Sequence, residues 1–115
     1  MSRGLGDVYK RQANITPKNA GVLAQSGVKT AVCTDHSETP IQYLTLTVGI
    51  CIKHGLDLQS AVDSITINAA EIAGIDDLCG SVEVGKRADL VMFSGNPFEV
   101  MTSPEAVFVG GIRQL

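Results

Sequence analysis

At 115 residues the chain suffices for one small domain and falls far short of the roughly 250 that a complete (β/α)8 barrel needs. Nine basic residues against twelve acidic ones leave a formal net charge of −3 and a pI near 5.2, and without a basic cluster there is no electrostatic footprint for nucleic acid or anionic lipid. Hydrophobic residues make up 44% with a mean hydropathy of +0.19, yet aromatics are only 4% and Trp is absent, so a core must rest on Val, Ile, Leu and Ala, a composition that suits α/β packing.

The opening, Met1-Ser2-Arg3-Gly4-Leu5-Gly6-Asp7-Val8-Tyr9-Lys10-Arg11-Gln12, has neither helical nor strand periodicity and no apolar segment of the kind a signal peptide carries. It resembles translated library-adapter sequence of assembled environmental (metagenomic) reads, so residues 1–12 are set aside as a non-native leader and natural sequence is expected from Ala13. Thr16-Pro17 is a helix-start signal, Ala20, Val22, Leu23 and Ala24 carry the apolar pattern, and Gly27 suits a C-terminal stop. Residues 28–33 form a nearly continuous β-branched and apolar run, the pattern of a parallel strand buried on both faces, with Thr34 and Asp35 at its C-terminal end.

Thr39-Pro40 repeats the start signal, and residues 41–54 are read as a largely buried helix closed by Gly55, although Leu44-Thr45-Leu46-Thr47-Val48 also alternates as a strand would. Asp57 caps a short helix over residues 58–65, and Asn68 with Glu71 three positions on gives a capping-box-like start to another that ends at Gly74. Beyond Leu78 the pattern changes to short strands at residues 81–84, 90–93 and 106–109, separated by Gly85-Lys86, by Gly95-Asn96-Pro97 and by Gly110-Gly111. Cys33, Cys51 and Cys79 lack the paired spacing of a structural zinc site and read as reduced thiols of a cytoplasmic protein; no run approaches the ~18 apolar residues of a membrane span.

Two stretches carry chemistry or fold identity: Gly27-Val28-Lys29-Thr30-Ala31-Val32-Cys33-Thr34-Asp35-His36-Ser37, and Gly80-Ser81-Val82-Glu83-Val84-Gly85-Lys86-Arg87-Ala88-Asp89-Leu90-Val91-Met92-Phe93-Ser94-Gly95-Asn96-Pro97. Together they resemble the end of a metal-dependent amidohydrolase, and Thr34-Asp35-His36 with Ile67-Asn68-Ala69-Ala70-Glu71-Ile72 is most similar to the imidazolonepropionase-related members. The resemblance implies an α/β fold in which residues 13–77 are the C-terminal end of a (β/α)8 TIM barrel, its last strand and following helices, and residues 78–115 are part of an accessory β-sandwich. It implies Asp35 as a ligand to a divalent metal, zinc as one or two ions, and as the base that takes the attacking water's proton and later hands it to the leaving nitrogen. His36 is a candidate substrate-binding residue. A loop hydrogen-bonding role is its alternative, just as Asp35 alone would read as a cap of the loop before Thr39.

Other family ligands, a His-x-His pair, a lysine or glutamate and two further histidines, are not found in this sequence. The chain is therefore expected to be a C-terminal fragment, inactive by itself, of a hydrolase acting on non-peptide, cyclic amide C–N bonds. Its implied partner is a small-molecule substrate, neither nucleic acid nor membrane, and the parent could assemble as a homo-oligomer. Lys86, Arg87 and Asp89 are read as turn chemistry, Asp89 bracing Gly85-Lys86, and His54 as a structural residue at a helix end. The rival readings are a non-catalytic α/β interaction module and a fragment of a deacetylase or dihydroorotase-type amidohydrolase.

Overall fold

The computed structural model describes residues 17–115, so the expected leader over residues 1–12 and the Thr16 cap lie outside the described residues. Four helices come first: α1 (Asn19–Gln25), α2 (Leu44–Lys53, entered through a 3-10 turn at Ile41–Tyr43), α3 (Leu58–Ser64) and α4 (Ile67–Ala73). A three-stranded antiparallel sheet follows, with β1 (Leu90–Phe93), β2 (Pro104–Val109) and β3 (Ile112–Arg113) in the order β1-β2-β3. Helices and strands are thus segregated along the chain.

Of the expected start signals, Asp57 acts as read. Its side chain accepts from the Ser60 backbone N–H at 3.0 Å and satisfies one of the orphan donors of α3. The Thr39-Pro40 signal gives no side-chain cap; Pro40 instead precedes the 3-10 turn that leads into α2. The capping-box pair of α4 does not form either. Asn68 donates from its side-chain amide to the Thr30 carbonyl at 3.1 Å, and Glu71 is ion-paired with Lys29. Both side chains are spent on tertiary contacts with residues 28–33 rather than on their own helix.

That segment departs from the expected buried strand. It has no β-ladder among the described residues, Val28 and Cys33 are exposed, and the Val32 N–H donates to the Ser64 carbonyl at 3.1 Å. A strand is defined by the partner that receives its backbone bonds, and here the bonds go to Ser64 and Asn68, with no partner strand among the described residues. Residues 81–84 are not a strand either: Val82 and Val84 are exposed, and Glu83 and Lys86 form an ion pair at 2.9 Å, joined by Ser81, whose hydroxyl accepts from Lys86 at 2.7 Å. The other two β-prone runs do become β1 and β2.

The core lies between the helices and the loop after β1. Val48 of α2, Leu56, Ala61 of α3 and Phe98 are buried together, with Ala20, Ala24, Val32, Leu44, Cys51, Ile52 and Ile65 around them. A side chain at position 49 would place Cβ 2.9 Å from the Phe98 carbonyl oxygen, so glycine there lets the loop carrying Phe98 lie against α2. In the sheet, β1 and β2 pair Leu90 with Phe108 and Met92 with Ala106, and Gly110 and Gly111, both at positive φ, turn the chain into β3. Asp89 braces this turn, not the one at Gly85-Lys86: its carboxylate accepts from the Gly110 N–H at 2.7 Å and pairs with Arg87 at 3.1 Å.

Two carboxylates tie stability to acid. The Ser60 hydrogen bond draws Asp57 below the usual carboxylate range, and hydrogen bonds from Lys86 and Ser81 do the same for Glu83. A depressed native pKa contributes stability that is fully present above the unfolded value and is lost as pH falls through the native one, so both contributions hold at neutral pH and fade below about pH 4. Replacing Asp57 by Asn and Glu83 by Gln together is expected to flatten the loss of thermal stability between about pH 6 and pH 3. Equal slopes for the double variant and the unsubstituted chain would refute this account.

Candidate active site

Residues 28–33 are carried by the helices. Asn68 holds the Thr30 carbonyl, and Ser64, itself 1% exposed with its hydroxyl donating to the Ala61 carbonyl at 2.7 Å, holds Val32. The chain then enters a tight loop at Thr34, which is buried and whose carbonyl accepts from the Thr39 N–H at 3.2 Å, while the Asp35 carbonyl accepts from the Glu38 N–H at 2.7 Å. Asp35 occupies the left-handed region at φ 52°, a conformation that Asp tolerates better than most residues and that gathers at functional loops.

The Asp35 side chain is exposed, and among the described residues no hydrogen bond or ion pair engages its carboxylate. It therefore does not cap the loop before Thr39, as position alone would suggest; the backbone does that work. His36 is exposed too, and its ring is engaged, with Nδ1 accepting the Ile41 backbone N–H at 3.0 Å. The loop-bonding alternative for His36 is thus realised, through one nitrogen. Sequence reasoning missed the Ile41 amide as that partner, because a backbone donor has no residue type to betray it.

Asp35 suits a divalent cation as a single carboxylate ligand, being exposed and unengaged. Among the described residues no group of three or more His, Cys, Asp or Glu side chains converges to hold a metal ion. His54 follows α2 with its backbone N–H on the Cys51 carbonyl, and Asp76 and Asp77 lie in an exposed turn. A cavity of about 780 Å³ forms an apolar groove between α3, α4 and β1, lined by Val62, Ile65, Ala69, Val91 and Phe93, and the Asp35 loop contributes nothing to it.

Residues 15–113 match the amidohydrolase family. The chain belongs to that family. Among curated amidohydrolase relatives, the imidazolonepropionase of Shouchella clausii is 31% identical over 94 residues, covering 79% of this chain and 21% of that protein. The imidazolonepropionase of Geobacillus kaustophilus is 39% identical over 75 residues, covering 63% of this chain and 18% of that protein. A solved amidohydrolase structure from Thermotoga maritima superposes with a TM-score of 0.83 at 32% identity, covering 88% of this chain and 26% of that one. The chain thus spans about a fifth to a quarter of the length of these relatives, and the expected relationship to imidazolonepropionase-related amidohydrolases holds. With 88% of the chain superposed, an amidohydrolase fold accounts for its α/β content. Cys33, Cys51 and Cys79 are free thiols, and no helix among the described residues is long and apolar enough to cross a membrane.

Proposed function

We propose that the full-length protein bearing this sequence is a cytoplasmic, metal-dependent hydrolase of non-peptide amide C–N bonds, cyclic amides foremost, in which Asp35 is both a metal ligand and the proton carrier. The observation that carries this reading is the exposed, unengaged Asp35 carboxylate on a loop whose backbone is fixed by the Thr39 and Glu38 amides. Membership of the family and the two imidazolonepropionases support the substrate class. Residues 13–77 would then be the end of the barrel and residues 78–115 part of the accessory sandwich, with a small molecule as substrate, a homo-oligomeric parent compatible with this reading, and the three free thiols suited to a reducing compartment.

A divalent ion bound beside Asp35, zinc by the family's habit, would supply Lewis acidity and lower the pKa of bound water to about 7. The residues of this chain do the rest. Asp35, whose carboxylate takes part in no hydrogen bond among the described residues, accepts the proton as water attacks the amide carbon, and returns it to the leaving nitrogen so that the amine departs neutral. Its fixed backbone limits the reorganisation that a proton transfer demands.

Hydrolysis of imidazolonepropionate, a hydantoin and a lactam by the full-length, zinc-loaded protein tests the reading; no turnover of any of the three, before or after zinc loading, would refute it. The 115-residue chain alone is expected to be inactive and to bind zinc weakly, since it brings one candidate ligand where such sites use three or more. Calorimetry checks this. Micromolar, stoichiometric binding that vanishes in Asp35→Ala would show that the site assembles without the missing ligands.

A further inference from the structure

His36 is held by one nitrogen only. The Ile41 backbone N–H donates to His36 Nδ1 at 3.0 Å, and a ring nitrogen that accepts a hydrogen bond carries no proton, so the imidazole's own proton is on Nε2. Two consequences follow. Nδ1 is closed to a metal, because its lone pair is already in use, and Nε2 in this tautomer is a donor rather than a ligand. The side chain is nevertheless exposed, and it directly follows an exposed Asp35 whose carboxylate has no partner among the described residues. One neighbour in the chain is thus an acceptor and the other a donor, both anchored on the same backbone turn.

We propose that His36 contacts substrate as a hydrogen-bond donor, its Nε2–H meeting an acceptor oxygen, a carbonyl or a carboxylate, of the amide engaged by Asp35. This rests on the amidohydrolase reading above and assigns within it which atom of His36 acts and on what. The Ile41 bond is what makes the contact effective: it selects the tautomer and restrains the ring, so little side-chain freedom is lost when substrate binds. A substrate carrying a cationic group at that place would face an N–H and bind poorly, so the site favours neutral or anionic acyl groups.

Two substitutions separate the roles of the two nitrogens in the full-length, metal-loaded protein. His36→Asn keeps an oxygen at the reach of Nδ1 and can still accept from Ile41, but removes the distal donor. His36→Gln keeps an N–H at the reach of Nε2 and gives up the acceptor. Steady-state kinetics on the cyclic amide turned over fastest, corrected for folded protein, are expected to show kcat/KM lowered at least about tenfold in His36→Asn with an unchanged thermal midpoint, and a smaller loss in His36→Gln. Unchanged kcat and KM in His36→Asn, or a greater loss in His36→Gln than in His36→Asn, would make His36 a loop brace and overturn the assignment. Nitrogen-15 spectra of ring-labelled histidine give a readout independent of turnover: an unprotonated Nδ1 with a protonated Nε2 is expected, and the opposite tautomer ends the proposal. Asp35→Asn measured alongside distinguishes the levels of failure. If it retains activity, the amidohydrolase role of the loop is wrong. If it loses activity while His36→Asn behaves as the unsubstituted enzyme, only the donor role falls.

Discussion

Asp35→Asn in the full-length, metal-loaded enzyme is expected to lower kcat by about 10²-fold to 10⁴-fold, the range attributed to general acid–base catalysis, and by more if metal affinity falls as well. The substitution is nearly isosteric, and the Asp35 carboxylate takes part in no hydrogen bond among the described residues, so there is no structural contact to lose. Asn also tolerates the left-handed backbone at φ 52°. Thermal stability of the metal-free protein should accordingly be unchanged, so that a loss of kcat at saturating metal reports the chemistry. Asp89 supplies the opposite case. Its carboxylate accepts the Gly110 N–H and pairs with Arg87, so Asp89→Ala should loosen the β2–β3 turn and lower stability while kcat of the folded enzyme is preserved. Near-normal kcat in Asp35→Asn, or lost kcat with intact stability in Asp89→Ala, would mean that the chemistry belongs to the other aspartate.

Phe98→Ala is expected to destabilise the fold by about 3–5 kcal/mol, as deletion of a buried aromatic ring does. Phe98 is 8% exposed and packs with Val48, Leu56 and Ala61, although it comes from the loop after β1 rather than from a helix. That loop is held by the Asn96 side chain, which accepts from the Phe98 N–H at 2.9 Å, and it lies against α2 at Gly49. The void left by the ring adds a cavity term to the lost burial, so the thermal midpoint should fall by more than about 10 °C for a unit of this size. Val100, two residues further on and 79% exposed, serves as the control, and Val100→Ala should be nearly neutral. Similar midpoints for the two variants would show that Phe98 does not join the sheet region to the helical core.

Local rules were enough to locate α2, α3 and α4, because each helix carries its own apolar periodicity and a stop such as Gly55 or Gly74, and they were enough for β1, β2 and the Gly110-Gly111 turn, whose backbone angles favour glycine. Asp35 was legible as a candidate from its place after an apolar run and from family likeness. What short-range pattern could not decide was where each side chain would spend its hydrogen bonds. Asn68 and Glu71 have the spacing of a capping box but reach across to residues 28–33, and Asp89 skips its own turn for one 21 residues away. Residues 28–33 have the composition of a strand but no ladder partner among the described residues, and residues 81–84 are β-prone yet exposed. Propensity is written into a single segment, whereas pairing, the engagement of Phe98 with Val48 and the Ile41 bond that sets the tautomer of His36 depend on segments brought together by the fold. These contacts belong to the tertiary structure because their energy comes from groups that are neighbours in space and strangers in sequence.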